Sequence, residues 1–191
     1  MILLSALVLG LLVGVGRARW QHRPYRAPDL RVIWLAVVAF APQLIIAYLP
    51  ATHDLLPDGF AGLLLSASLV IFLAFIWANR RLPGMPILSA GMALNLAVML
   101  ANGGWMPISP ATASQLAGGG AIEPGSLGGR FGAKDVLLLP EQTRLPYLSD
   151  RFLLPSWFPY HVAFSLGDIV IAVGAFWLLA GAQTEDEVEV E

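Results

Sequence analysis

The sequence predicts an all-α membrane protein, a bundle of about five transmembrane helices with one long outer loop carrying short interfacial helices. Three observations predict it. Of 191 residues, 57% are hydrophobic and 13% charged, more apolar surface than one soluble core of this size hides. Four apolar stretches, 31–49, 60–79, 85–102 and 162–182, come close to the roughly 20 residues a helix needs to cross a hydrocarbon core. Arginines gather in alternate connections, as the positive-inside rule requires.

A fifth stretch, 1–16, is shorter. It has no basic residue before its apolar run and has Arg17 and Arg19 directly after it, the reverse polarity of a secretory signal. It reads as a retained first helix. Arg17, Arg19, Arg23, Arg26 and Arg31 crowd the first connection, and Arg80 and Arg81 occupy the third. Both should face the cytoplasm. The second connection, 51–59, holds Asp54 and Asp58 and no Lys or Arg, as expected of the opposite side. Five spans then put the N-terminus outside and the C-terminus inside.

The long connection 103–161 falls outside. Ser109 is placed to cap a short helix with Pro110 at its first position and Gly118, Gly119 and Gly120 as its stop. Residues 118–132 are glycine-rich without the Lys-Ser/Thr ending of a phosphate loop, so they read as a flexible linker. Leu145, Leu148, Phe152 and Leu153 make an apolar face beside Asp150 and Arg151, and Trp157, Phe158 and Tyr160 form an aromatic run suited to the headgroup level. The remaining outer charges, Arg130, Lys134, Glu141 and Arg144 among them, are expected to be solvated. Residues 1–182 thus form one polytopic domain, and 183–191, with five carboxylates, an acidic cytoplasmic tail. No internal repeat divides the chain into the matched halves common among secondary transporters.

With no cysteine, thiolate catalysis, disulfides and Cys-ligated metal or haem are excluded. The net charge of −2 argues against a nucleic-acid partner. His22, His53 and His161 share no ligand spacing, so no metal and no cofactor is expected.

Polar side chains inside spans are costly without a partner, which singles out Gln43, Asn95, Asn102 and Asp168. Asp168 should lie two turns, about 9 Å, into the last span. It is either an ion or proton site, or a lock tying the last helix to Asn102, to a backbone N–H or to an outer-loop arginine. Asn95 and Asn102, seven apart, share a face turned toward protein. Gly103 and Gly104 then stop the helix; a backbone opened there offers N–H groups to an anion, but a plain stop accounts for it. Pro42 removes a helix hydrogen bond beside Gln43 and predicts a kink. Ser89, Ala93, Ala97 and Ala101, and likewise Ala6, Gly10 and Gly14, make small-residue stripes for close helix approach.

The chain resembles the bacterial multi-pass membrane family catalogued as domain of unknown function 5317. The likeness rests on Asn95-Leu96-Ala97-Val98, Asn102-Gly103-Gly104-Trp105-Met106-Pro107, Thr143-Arg144-Leu145-Pro146-Tyr147-Leu148-Ser149-Asp150 and Phe164-Ser165-Leu166-Gly167-Asp168. It covers essentially the whole chain except the acidic tail. The chain departs from the pattern at Lys134-Asp135, where a histidine is expected after the basic residue. The resemblance implies a protein of the bacterial cytoplasmic membrane and brings no activity. It also sets both marked motifs at the outer ends of the last two spans, so Asp168 is expected within hydrogen-bonding distance of the Asn102–Trp105 turn or of Arg144.

The leading functional expectation is a non-enzymatic membrane component, structural or accessory, whose partners are the lipid bilayer and other membrane protein subunits. The second is a small-solute or ion translocator using Asp168 with Asn95, Asn102 and Gln43, which needs a continuous polar track. The third is an outer-leaflet lipid-modifying enzyme, which needs Asp168, His161 and Arg144 in one pocket.

Overall fold

The computed structural model describes residues 2–49, 55–120, 122–155, 158 and 161–181. His53, Asp54, Trp157, Tyr160 and the tail 183–191 lie outside them, so the expectations made for these residues meet no observation. The described chain is mostly helical. Its six helices are α1 (Ile2–Trp20), α2 (Ile33–Tyr48), α3 (Asp58–Ala78), α4 (Met85–Ala101), the short α5 (Pro110–Leu116) and α6 (Leu166–Ala180). By length and apolarity α1 and α3 suffice to cross a membrane; α2, α4 and α6 are shorter apolar helices.

Helix α1 runs four residues past the expected 1–16, since Arg17-Ala18-Arg19 favours continuation and the left-handed turn at His22 comes only later. Helix α2 continues through Pro42. The last apolar stretch, expected to be helical from 162, starts its helix at Leu166, and the residues before it are extended.

Packing runs in the order α1, α6, α4, α3, α2, so that α6, last in sequence, sits between the first and fourth helices. Glycines seven residues apart make this possible. Gly84 and Gly91 on α4 meet Gly174 and Gly167 on α6 backbone to backbone, and a Cβ on Gly91 would lie 2.7 Å from the Gly167 carbonyl. The expected stripe Ser89, Ala93, Ala97, Ala101 does not make this contact: Ala93 and Ala97 are exposed. The seam instead repeats every seven residues. The other stripe does pack within the chain, Gly10 against Phe176 and Gly14 against Leu179.

Among its described residues the long connection 103–161, the cap, carries short strands as well as the short helix α5. Strands β1 (Met106–Ile108), β2 (Arg130–Phe131) and β3 (Asp135–Leu137) form a sheet in the order β1-β3-β2, with β1 parallel and β2 antiparallel to β3. Strands β4 (Phe152–Leu153) and β5 (Ala163–Phe164) pair antiparallel. The glycine-rich stretch joins the sheet: Gly128 N–H donates to the Leu137 carbonyl at 2.8 Å, and Leu137 N–H to the Gly129 carbonyl at 3.1 Å. Flexible composition yields to pairing here because Gly128 and Gly129 continue β2 along the same side of β3, where small residues can lie close against it. The capped short helix forms as expected; Ser109 Oγ accepts from Thr112 N–H, and Gly118 and Gly119 take the left-handed turn. Ile108, Ala113 and Leu137 give the cap its own small core.

Candidate functional site

The site begins at the first turn of α6. Ser165 Oγ accepts from Asp168 N–H at 3.0 Å, and Asp168 Oδ2 accepts from Ser165 N–H at 3.0 Å, a reciprocal capping box that fixes where the helix starts. Asp168 therefore stands at the third helical position, in the first turn, and not two turns inside a span. Ser165-x-x-Asp168 is legible in the sequence as a cap, but the apolar run from Val162 hid it.

Across the glycine seam, α4 presents Asn95. Its Nδ2 donates to Asp168 Oδ1 at 2.8 Å, while its Oδ1 accepts from Ser165 Oγ at 3.0 Å. Asn95 is 7% exposed and Ser165 fully buried. The absence of a side chain at Gly167 is what admits the Asn95 amide, since a Cβ there would overlap Asn95 Oδ1.

The cap closes the site from above. Lys134, the only lysine in the chain, stands just before β3 and brings Nζ to 2.9 Å from Asp150 Oδ2 and 3.5 Å from Asp168 Oδ2. Asp150 is 1% exposed; its N–H donates to the Pro107 carbonyl, which ties it to β1. One ammonium thus bridges a carboxylate of the cap and a carboxylate of the bundle.

Around this bridge lie more acids than Lys134 can neutralise. Burial pushes the Asp135 carboxyl up to about 8, against the pull of Lys134 and with help from the Asp150 carboxylate. Burial likewise raises Asp150, again against Lys134. For Lys134, burial works downward and is outweighed by Asp150, Asp168 and Asp135, so the ammonium is held above its ordinary range. Asp135 Oδ1 and Asp150 Oδ1 are buried and receive no hydrogen bond from a described protein group. A proton held by Asp135, which its burial favours, supplies a donor toward Asp150.

Of the sequence-derived candidates, then, Asp168 and Asn95 meet. The expected contact of Asp168 with the Asn102–Trp105 turn or with Arg144 is not made. Asn102 instead brackets the backbone of residue 144: its Oδ1 accepts from Arg144 N–H and its Nδ2 donates to the Arg144 carbonyl, both at 2.9 Å. The Arg144 guanidinium is exposed. Helix α4 presents Asn95 and Asn102 to different partners because it ends between the bundle and the cap.

Gly103 and Gly104 make a left-handed stop in which Gly104 N–H donates back to the Met99 carbonyl at 2.7 Å. That turn packs on Gly62 of α3, which uses the backbone the sequence left open to an anion. Gln43 is elsewhere, its Nε2 donating to Ser68 Oγ at 2.9 Å between α2 and α3.

Sequence reasoning passed over Lys134, Asp135 and Ser165 as site residues. Arg130 was also expected to be solvated; its side chain is 5% exposed, pairs with Asp58 and lies over the Trp105 ring at 5.0 Å. Among the described residues no group of three or more His, Cys, Asp or Glu is arranged to hold a metal ion.

The sequence model of a family described as "Family of unknown function (DUF5317)" matches residues 28–180. No curated protein and no solved structure matches the chain.

Proposed function

The chain belongs to this family of unknown function, and from that premise we propose that it is a five-span component of a bacterial cell membrane that holds lipid and protein partners and turns over no substrate. One observation carries the reading: every charge on the five long helices lies in a first or last turn. Arg17 and Arg19 end α1, Asp58 begins α3, Asp168 lies in the first turn of α6, and α2 and α4 have none. Between these ends the outward faces carry Leu9 and Leu12 on α1, Val37 and Leu44 on α2, Leu63 and Val70 on α3, and Val173 and Trp177 on α6, all exposed. Lipid is the solvent such faces fit. Helix α6, at about 22 Å by its rise per residue, is shorter than a typical core and requires local thinning of the bilayer.

The arginine-rich end belongs in the cytoplasm by the positive-inside rule, which sets the cap outside, the N-terminus outside and the C-terminus inside. The holding role is supported by how the polar groups are used. Asn95 and Ser165 are spent on Asp168, Asn102 on the Arg144 backbone and Gln43 on Ser68, three separate pairings on different elements. A translocator needs a polar track joining them; an enzyme needs Asp168, His161 and Arg144 together, whereas His161 and Arg144 are exposed at the surface.

Because the chain lacks cysteine, single-cysteine variants read topology cleanly. An impermeant maleimide should label Gln115→Cys in the cap on intact cells and Gln21→Cys only after lysis. The reverse pattern, or recovery of the chain from the soluble fraction, defeats the spanning reading. Extraction in mild detergent should return a particle with a protein or lipid partner in fixed ratio. A lone particle that conducts ions in liposomes and stops on Asp168→Asn would replace this function with translocation.

A further inference from the structure

The end of the bundle opposite the cap holds a concave site that the reading above leaves unused. The end of α3 and the start of α2 enclose a basin of about 410 Å³ lined by Arg31, Arg80, Arg81, Asn79 and Asp29, among others. Three arginines line it with one aspartate.

The backbone of Arg31 and the side chain of Arg80 are held in place. Asn79, 4% exposed, accepts from Arg31 N–H at 2.7 Å and donates to the Arg31 carbonyl at 3.0 Å, fixing residue 31 against the turn that carries Arg80 and Arg81. Arg80 donates to the Trp77 carbonyl at 3.1 Å and stacks over the Trp77 ring at 4.8 Å. The guanidiniums of Arg31 and Arg81 make no ion pair with any described residue. Planar guanidinium forks match the oxygens of a phosphate two at a time, and a site carrying a surplus of two positive charges attracts that anion from solution or from a membrane surface.

We propose that this basin binds a phosphate-bearing anion between Arg31, Arg80 and Arg81. The phosphate is that of an anionic lipid headgroup or of a free phosphate, and the lipid source rests on the membrane reading. Asn79 acts as the positioning residue and Asp29 as the counter-charge that limits the surplus.

The test uses the full chain in mild detergent. Native mass spectrometry scores retention of phosphatidylglycerol against phosphatidylcholine, and calorimetry scores inorganic pyrophosphate. The wild type should retain phosphatidylglycerol over phosphatidylcholine, and Arg31→Gln with Arg81→Gln should weaken retention about tenfold. Arg144→Gln with Arg151→Gln, at the other end, should leave it unchanged. Pyrophosphate bound with phosphatidylglycerol ignored assigns the free source.

Equal loss from both arginine pairs overturns the proposal, since it makes the attraction one of bulk charge. No loss from Arg31→Gln with Arg81→Gln overturns it too. Should that variant not fold, Arg31→Lys with Arg81→Lys keeps the charge and removes the forks; wild-type binding there also overturns it. A chain that proves soluble defeats the membrane reading and leaves the pyrophosphate arm standing. A chain in the membrane that retains neither anion defeats the basin alone.

Discussion

The two ends of the helix bundle handle charge in opposite ways. At the cap end Lys134, Asp135, Asp150 and Asp168 are drawn together beneath a small sheet, with Asp150 at 1% exposure and Arg130 at 5%. At the other end seven arginines between residues 17 and 81, two in the last turn of α1 and five in short connections, have one carboxylate, Asp29, near them in sequence. There the joint is made by an uncharged side chain, Asn79, on the backbone of Arg31. Buried charges fix one arrangement because each is costly without its partner, whereas exposed arginines such as Arg17 and Arg80 each donate to one backbone carbonyl, of Ala180 and Trp77, in contacts that water weakens. The cap end is therefore the specified end and the arginine end the receptive one.

The sharpest way to break this contrast is at Lys134. Lys134→Met leaves Asp150 buried without its cation and should cost about 3 kcal/mol, the low end for a broken buried pair because the lysine side chain is itself 37% exposed. Adding Asp150→Asn should recover much of that loss. Thermal melts in detergent measure both; a Lys134→Met protein as stable as wild type would mean the cap is not held by this bridge.

Next in size is the seam beneath it. Gly167→Ala sets a methyl on the Asn95 amide and should cost about 2 kcal/mol as overpacking, with the Asn95–Asp168 bond lost. At the receptive end, Asn79→Ala should cost about 1–2 kcal/mol by leaving the N–H and C=O of Arg31 unmatched, while Arg81→Gln should change stability by less than about 0.5 kcal/mol. If Arg81→Gln proved as costly as Lys134→Met, the two ends would not differ in kind.

The pH dependence sharpens the comparison further. Asp135 holds its proton in the fold up to about pH 8, against an ordinary value of 3.8, so between those two values the folded chain binds one proton more than the unfolded chain. Its contribution to stability is therefore fully present below the ordinary value and is lost as pH rises through about 8, with a slope of at most about 1.4 kcal/mol per pH unit. Asp135→Asn, which mimics the protonated form, should flatten the decline in melting temperature between acid and mildly alkaline pH. A decline that survives the substitution would put the proton elsewhere.

The contrast also explains which features were legible in advance. Span-length apolar stretches and the arginine clusters are written in composition, so four of the long helices were found to within a few residues. The small helix at Pro110 was found from its cap and its glycines. Lys134 and Asp150 were read as solvated loop charges because they stand 16 residues apart with strand β3 between them, and only the parallel pairing of β1 with β3 brings them to one place. Asp168 was singled out for the right reason, an acid beside an apolar run, but it stands in the first helical turn, and of the expected lock partners it meets a backbone N–H, that of Ser165, and not Asn102 or an arginine. Local capping chemistry at Ser165 overrode the hydropathy of Val162 and Ala163.

By itself, then, the sequence determined that this chain is mostly helical, where its apolar helices run and which ends carry the arginines. Those properties follow from the solvent preference of short, contiguous stretches. The tertiary structure alone decided the helix order, the seven-residue glycine seam, the folding of a glycine-rich loop into a sheet and the meeting of Lys134 with Asp150 and Asp168. Each of these depends on contacts between residues far apart in the chain, where the energy of burial and charge pairing belongs to the pair and to neither residue's local pattern.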